Sequence, residues 1–241
     1  MTKTYGLDSK IYSHPLLSID EERNQLPHSF ATATIASMND EFYLITPAHA
    51  LNSMGGKPVY LSVDPTPISL ASKKVIKSTP ADIAVVKLTN NEIDQIFETS
   101  VIITEEMVNL AYESIEYGSV FLEGYPANKN KQKIRKKKIT RSLVQINFSS
   151  LVDDYFPDDT YIKDVHFAYG YNEKKLYDNT GTKVNPRQLA GMSGGLFKAV
   201  SLGGNALPLG IFLAQDKGKF ALIGLDYRFI FKWLKANSAA L

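Results

Sequence analysis

Apolar residues along the chain fall in short runs broken by glycine, proline and asparagine. Residues 29–37, SFATATIAS, and 41–46, EFYLIT, combine β-branched, aromatic and small apolar side chains, and Asn39-Asp40 between them favours a tight turn. The pair predicts a β-hairpin. Similar runs predict strands at 58–63, 83–88, 119–125, 139–148 and 164–169, then at 195–200, 208–214 and 219–225. Asp226 stands where an N-cap would open an aromatic-rich helix running to about residue 236. Residues 91–98 predict a short helix, and the polar stretch 105–117 divides the strands into two groups, each the size of a small barrel. Strands first and a terminal helix last is an all-β pattern.

A chain of 241 residues with 44% hydrophobic content can bury a sizeable core. No run reaches the roughly 18 apolar residues that a membrane helix needs, and the first twenty residues lack the continuous apolar stretch of a secretory signal. There is no cysteine, so disulfides and thiolate zinc sites are excluded and a reducing compartment is compatible. A cytoplasmic protein with no membrane partner is the expectation. The formal charge of +2 implies no polyanionic partner by itself.

Three segments carry the chemistry: Thr46-Pro47-Ala48-His49, then Asp82-Ile83-Ala84-Val85, then Gly191-Met192-Ser193-Gly194-Gly195. Singly, each has an ordinary reading as an exposed histidine, a turn aspartate and a glycine turn. Jointly, they supply what acyl transfer needs: a hydroxyl nucleophile, a base to take its proton and a carboxylate to orient that base. A glycine two before the serine permits a φ closed to other residues, so amides around Gly191, Met192 and Ser193, those of Gly191 and Ser193 above all, can converge as an oxyanion hole.

In their order and flanks the segments resemble the trypsin-like (chymotrypsin-fold) serine peptidases, whose motifs read T-A-A-H, D-[IL]-A-[LV] and G-x-S-G-G, and the compactness resembles a bacterial-type trypsin-like peptidase domain. The resemblance runs from about Phe30 to the C-terminal helix. It implies two six-stranded-type antiparallel β-barrels with a C-terminal α-helix: one peptidase domain over 1–241, with a first barrel over 14–110 and a second barrel and helix over 111–241. It also implies a serine endopeptidase that uses no cofactor and no metal, with His49 as base, a buried Asp82 orienting it and an acyl-enzyme on Ser193. The substrate pocket would be built near Arg187 and Ala190, and by Leu213, Ala214 and Gln215. Arg187 at its base would favour an acidic side chain; Leu213 and Ala214 would favour a modest apolar one.

Departures from the pattern also carry information. Met192 stands where the digestive enzymes have Asp, so no salt bridge to a newly cut N-terminus can form and activation by that route is not expected. Pro47 fits a first helical turn. Ala31-Thr32-Ala33 replaces a frequent Gly-Thr-Gly, and 212–214 offers no hydroxyl to support the Asp82 carboxylate.

The basic run from Lys129 to Lys138, KNKQKIRKKK, contains no aromatic residue. It reads as a solvated loop or a docking surface for an acidic protein ahead of a nucleic-acid site. Asp153, Asp154, Asp158 and Asp159 could pair with it or hold a hard cation, but their spacing matches no metal loop; His14, His28 and His166 lack ligand spacing. The expected partners are a protein or peptide substrate and an activating or targeting protein. Two other readings are a catalytically silent protein-binding module and nucleic-acid-associated binding through the basic run.

Overall fold

The computed structural model describes residues 11–20, 26–63, 66–113, 117–127, 132–133, 138–139, 143–148, 150–151, 161–172, 176–177, 181–183, 185, 189–201 and 204–241. The first sheet holds β1 (Ser13–Asp20), β2 (Leu26–Met38), β3 (Glu41–Thr46), β4 (Val59–Leu61), β5 (Ile68–Ser69), β6 (Val75–Ser78) and β7 (Ile83–Leu88), in the order β5-β4-β1-β2-β3-β7-β6. β8 (Tyr117–Gly124) opens the second sheet. After it, β9 (Gln132–Lys133) and β10 (Lys138–Ile139) pair with each other. The second sheet continues with β11 (Val144–Phe148), β12 (Ser150–Leu151), β13 (His166–Gly170), β14 (Leu196–Ser201), β15 (Ala206–Asp216) and β16 (Ala221–Asp226), in the order β11-β8-β14-β15-β16-β13-β12. Every pairing between these strands is antiparallel. Among the described residues each large sheet has seven strands, with a two-residue strand at one edge, β5 in the first and β12 in the second.

Local chemistry sets these elements. Asn39 and Asp40 both take positive φ, 52° and 61°, as a two-residue hairpin turn between β2 and β3 requires. β3 is flanked by β2 and β7 and buries Tyr43, Leu44, Ile45 and Thr46, so apolar residues serve both its faces. α1 (Ala48–Asn52) is one short turn of helix, and Pro47 is its N-cap in extended conformation, one position earlier than the sequence implied. The short helix expected at 91–98 is α2 (Asn90–Asp94). The polar separator is itself helical, α3 (Glu105–Glu113), with Val108 and Ala111 buried. Asp226 caps α4 (Tyr227–Asn237) as expected, accepting from the Arg228 amide at 2.7 Å.

The core is in three main parts. One apolar cluster belongs to the first sheet, with Leu16, Ile35, Leu44 and Val86, and another to the second, with Leu122, Ile146, Phe197 and Leu222. The third joins the two: Tyr43, Ile45 and Ile83 meet Leu196, Ile211 and Leu213, and the Ile230, Phe231 and Leu234 face of α4 packs on them. Burial of this shared cluster fixes how the sheets meet, and therefore where their loops face one another. No helix among the described residues is long and apolar enough to cross a membrane.

Candidate active site

His49 projects from α1, just past the end of β3, and is exposed. Asp82 ends the turn before β7 and has φ of 51°. Because β3 and β7 are paired through Thr46 and Ala84, the residues beyond these strand ends are brought side by side. The Asp82 carboxylate accepts from the His49 amide at 2.9 Å through Oδ1 and meets His49 Nδ1 at 2.5 Å through Oδ2. The Asp82 carbonyl accepts from the Ala48 amide at 3.1 Å. A carboxylate can only accept, so Nδ1 carries the proton and Nε2 is left with its lone pair. The Asp82 side chain keeps 29% of its accessible surface and His49 keeps 48%, so the carboxylate is less sealed than the sequence implied. Leu213, buried in the cluster that also holds Ala81 and Ile83, offers no hydroxyl in compensation.

Ser193 lies in the second half, and β2 holds its loop. The Thr32 amide donates to the Ser193 carbonyl at 2.8 Å, and Thr32 Oγ1 donates to the Gly191 carbonyl at 3.1 Å while accepting from the Tyr125 amide at 3.1 Å. Thr32's own carbonyl accepts from Thr46 Oγ1 at 2.9 Å, three residues before His49. The first sheet therefore grips the serine loop beside the strand that leads to the histidine.

Within that loop the amides divide into two sets. Those of Met192, Gly194 and Gly195 donate to the carbonyls of Leu189, Phe212 and Met192 at 2.9, 2.7 and 2.7 Å. Those of Gly191 and Ser193 have no acceptor among the described residues. Gly191 has φ of 89°, and a Cβ there would lie 2.6 Å from the Ala127 amide nitrogen, so only glycine fits. The Met192 side chain is fully buried in the second sheet's cluster. An apolar anchor thus holds the residue before the serine.

The Ser193 hydroxyl donates to the Leu213 carbonyl at 3.2 Å and, among the described residues, makes no bond to His49. Leu213 sits where the β15–β16 register shifts between Phe212 and Ala214, and the bulge frees its carbonyl from the ladder. Of the residues expected to line a substrate pocket, Ala190 is exposed, Leu213 is buried, and Ala214 and Gln215 are half-buried. The Gln215 amide donates to the Tyr171 hydroxyl. Arg187 lies outside the described residues, as do Asp153, Asp154, Asp158, Asp159 and all of the basic run but 132–133 and 138.

No family model matches the chain, and no curated protein does. Among solved structures it is similar to an inactive-form crystal structure of a serine-to-alanine mutant of Rv3671c from M. tuberculosis H37Rv. The identity is 15% and the TM-score 0.49, over 95% of this chain and 87% of that one. It is also similar to a structure described by the role of aromatic interactions in coupled folding and binding of the intrinsically disordered Sesbania mosaic virus VPg protein. Here the identity is 12% and the TM-score 0.46, over 90% of this chain and 87% of that one. Likeness at this level assigns no activity.

One contributor was not singled out by sequence reasoning: Thr32 appears there only as a departure from a glycine-rich pattern, and its side-chain bond reaches a loop more than a hundred residues along the chain, beyond any local motif.

Proposed function

We propose that this protein is a trypsin-like serine endopeptidase working through His49, Asp82 and Ser193. The observation that carries the reading is the His49–Asp82 pair, with Nε2 left as an acceptor, on the sheet that also grips a serine loop whose Gly191 and Ser193 amides have no acceptor among the described residues. In the reaction the Ser193 hydroxyl leaves Leu213 and gives its proton to His49 Nε2 as Oγ attacks the scissile carbonyl. Asp82 holds the tautomer and stabilises the imidazolium. Charge developing on the carbonyl oxygen is met by the Gly191 and Ser193 amides, each such donor being worth roughly 3 kcal/mol in the transition state. His49 then protonates the leaving amine, and water releases the acyl group from Ser193 by the reverse proton path.

Met192 supports activity without N-terminal trimming, since its buried thioether needs no incoming α-amino group. The proposed partners remain a protein or peptide substrate and an activating or targeting protein. A fluorophosphonate probe tests the assignment: wild type should become covalently labelled at Ser193, and Ser193→Ala should fold normally yet neither label nor cleave. A folded wild type that never labels at high probe concentration would favour a silent binding module, a reading to which the Ser193–Leu213 bond also lends itself.

A further inference from the structure

β15 runs past the candidate nucleophile. The Gly194 amide donates to the Phe212 carbonyl and the Phe212 amide to the Gly195 carbonyl, both at 2.7 Å, while the Ser193 hydroxyl meets the Leu213 carbonyl at 3.2 Å. Beyond that contact the strand continues as Ala214 and Gln215. An acyl group carried on Ser193 would therefore lay its side chain against this stretch, facing the segment that leads through Ala190 and Met192 into the serine loop. Tyr171, the residue after β13, closes that ground. Its ring is buried in the apolar cluster that also holds Leu189, Met192, Phe212 and Leu222. Its hydroxyl accepts from the Gln215 side-chain amide. Its own amide donates to the Phe220 carbonyl at 2.8 Å, and the Phe220 ring meets it edge-on with centroids 6.0 Å apart.

Gln215 is turned the same way. It lies opposite Leu222 in the β15–β16 ladder, and residues directly opposite one another share a face, so its side chain points to the side on which Leu222 and Tyr171 are clustered. Only two residues of strand, about 7 Å, separate Leu213 from Gln215. We propose that Tyr171 and Gln215 form a bar across the acyl-side pocket, and that the protein therefore cleaves after small residues such as alanine, glycine or serine in preference to large apolar or acidic ones. A longer side chain would have to break the Gln215–Tyr171 bond and push aside a ring that is packed on one side and pinned to Phe220 on the other. The proposal rests on the peptidase reading and names the substrate class of that same site.

Peptidyl phosphonate diphenyl esters test this on the full-length chain, with an alanine, phenylalanine or glutamate side chain beside the phosphorus. Ser193 Oγ displaces phenol from such a probe, and mass spectrometry follows the rate. Wild type should react about 10- to 100-fold faster with the alanine probe than with the phenylalanine or glutamate probe, the scale on which an overfilled pocket discriminates. Tyr171→Phe keeps the ring in the cluster but removes the acceptor that holds Gln215, and should narrow the alanine-to-phenylalanine ratio by about 3-fold or more. Gln215→Ala, which takes away the other half of the bar, should narrow it by about 10-fold. A merely structural role for Tyr171 would slow all three probes alike and leave the ratios where they were. Wild type reacting as fast with phenylalanine or glutamate as with alanine would overturn the bar, and so would unchanged ratios in the two folded variants. In both cases the peptidase reading would stand. A wild type that reacts with none of these probes, nor with a small alkyl fluorophosphonate, would overturn that reading and the specificity with it.

Discussion

Gly194 shows how little freedom the serine segment has at the scale of single residues. Its φ is 90°, and a Cβ would lie 1.9 Å from the Thr32 carbonyl oxygen and 2.9 Å from Thr46 Oγ1. Backbone cannot yield by that much, so Gly194→Ala should either unlatch the loop from β2 or cost the fold about 3 kcal/mol or more. Gly204, at φ of 84° but with open space around it, is the control: Gly204→Ala should cost only about 1 kcal/mol of backbone strain. Denaturant unfolding of the two variants checks the difference, and similar losses would show that contact with Thr32 is not what constrains Gly194. Thr32→Val keeps the shape but removes the hydroxyl that donates to the Gly191 carbonyl and accepts from the Tyr125 amide. It should cost about 1–3 kcal/mol, and labelling at Ser193 should slow because the oxyanion loop loses its latch; wild-type labelling would mean that the Thr32 amide suffices. The glycines around Ser193 were legible in the sequence because a local backbone demand fixes residue type. Thr32 was not, since its role exists only once β2 meets a loop some 160 residues away.

Elements differed in legibility for a related reason. The β2–β3 hairpin could be read because Asn39 and Asp40 supply their own turn geometry, and α4 because Asp226 caps it. β1 was invisible: its Ser13, His14 and Ser18 are buried together with Leu16 and Leu17, so neither face shows the alternation that marks a half-exposed strand. α3 was hidden by its exposed glutamates, with Val108 and Ala111 its buried residues. β13 carries a prediction of its own through His166. Because burial lowers its folded-state pKa below the ordinary 6.5, the unfolded chain takes up a proton before the native state does. The stability linked to this group is therefore full above about pH 6.5 and is lost as pH falls toward the lower folded-state value. Asp82 opposes the shift by favouring the charged ring. Between about pH 7.5 and about pH 5.5 the unfolding midpoint of wild type should fall further than that of His166→Gln; parallel decreases would show that the buried imidazole is not linked to stability in this range.

At the scale of the whole molecule, the two sheets are joined by a buried charge cluster as well as by apolar packing. Glu123 on β8 accepts from the Tyr12 and Ser13 amides at 3.0 and 3.1 Å through Oε1, and from Gln145 Nε2 and Lys198 Nζ at 3.0 and 2.5 Å through Oε2. Lys198 also lies 5.2 Å from the centre of the Tyr12 ring. One carboxylate therefore holds the entry to β1 in the first sheet and three strands of the second. Nothing local in Leu196-Phe197-Lys198-Ala199 announces a counter-charge 75 residues away, so the pair was not legible in the sequence. Both side chains are almost fully buried, so breaking the pair is far costlier than replacing it. Glu123→Gln should destabilise by about 3–5 kcal/mol by stranding the Lys198 ammonium, whereas Glu123→Gln with Lys198→Met should recover much of that loss. The Glu123 carbonyl also lies where a Cβ on Gly195 would come within 2.4 Å of it, two residues from Ser193. The single variant should therefore slow fluorophosphonate labelling even under conditions where it remains folded, and the double variant should regain part of the rate. Equal stability losses in the single and double variants would show that the ion pair contributes nothing beyond its two halves. A folded single variant labelling at the wild-type rate would show that the joint between the sheets and the serine loop are energetically separate.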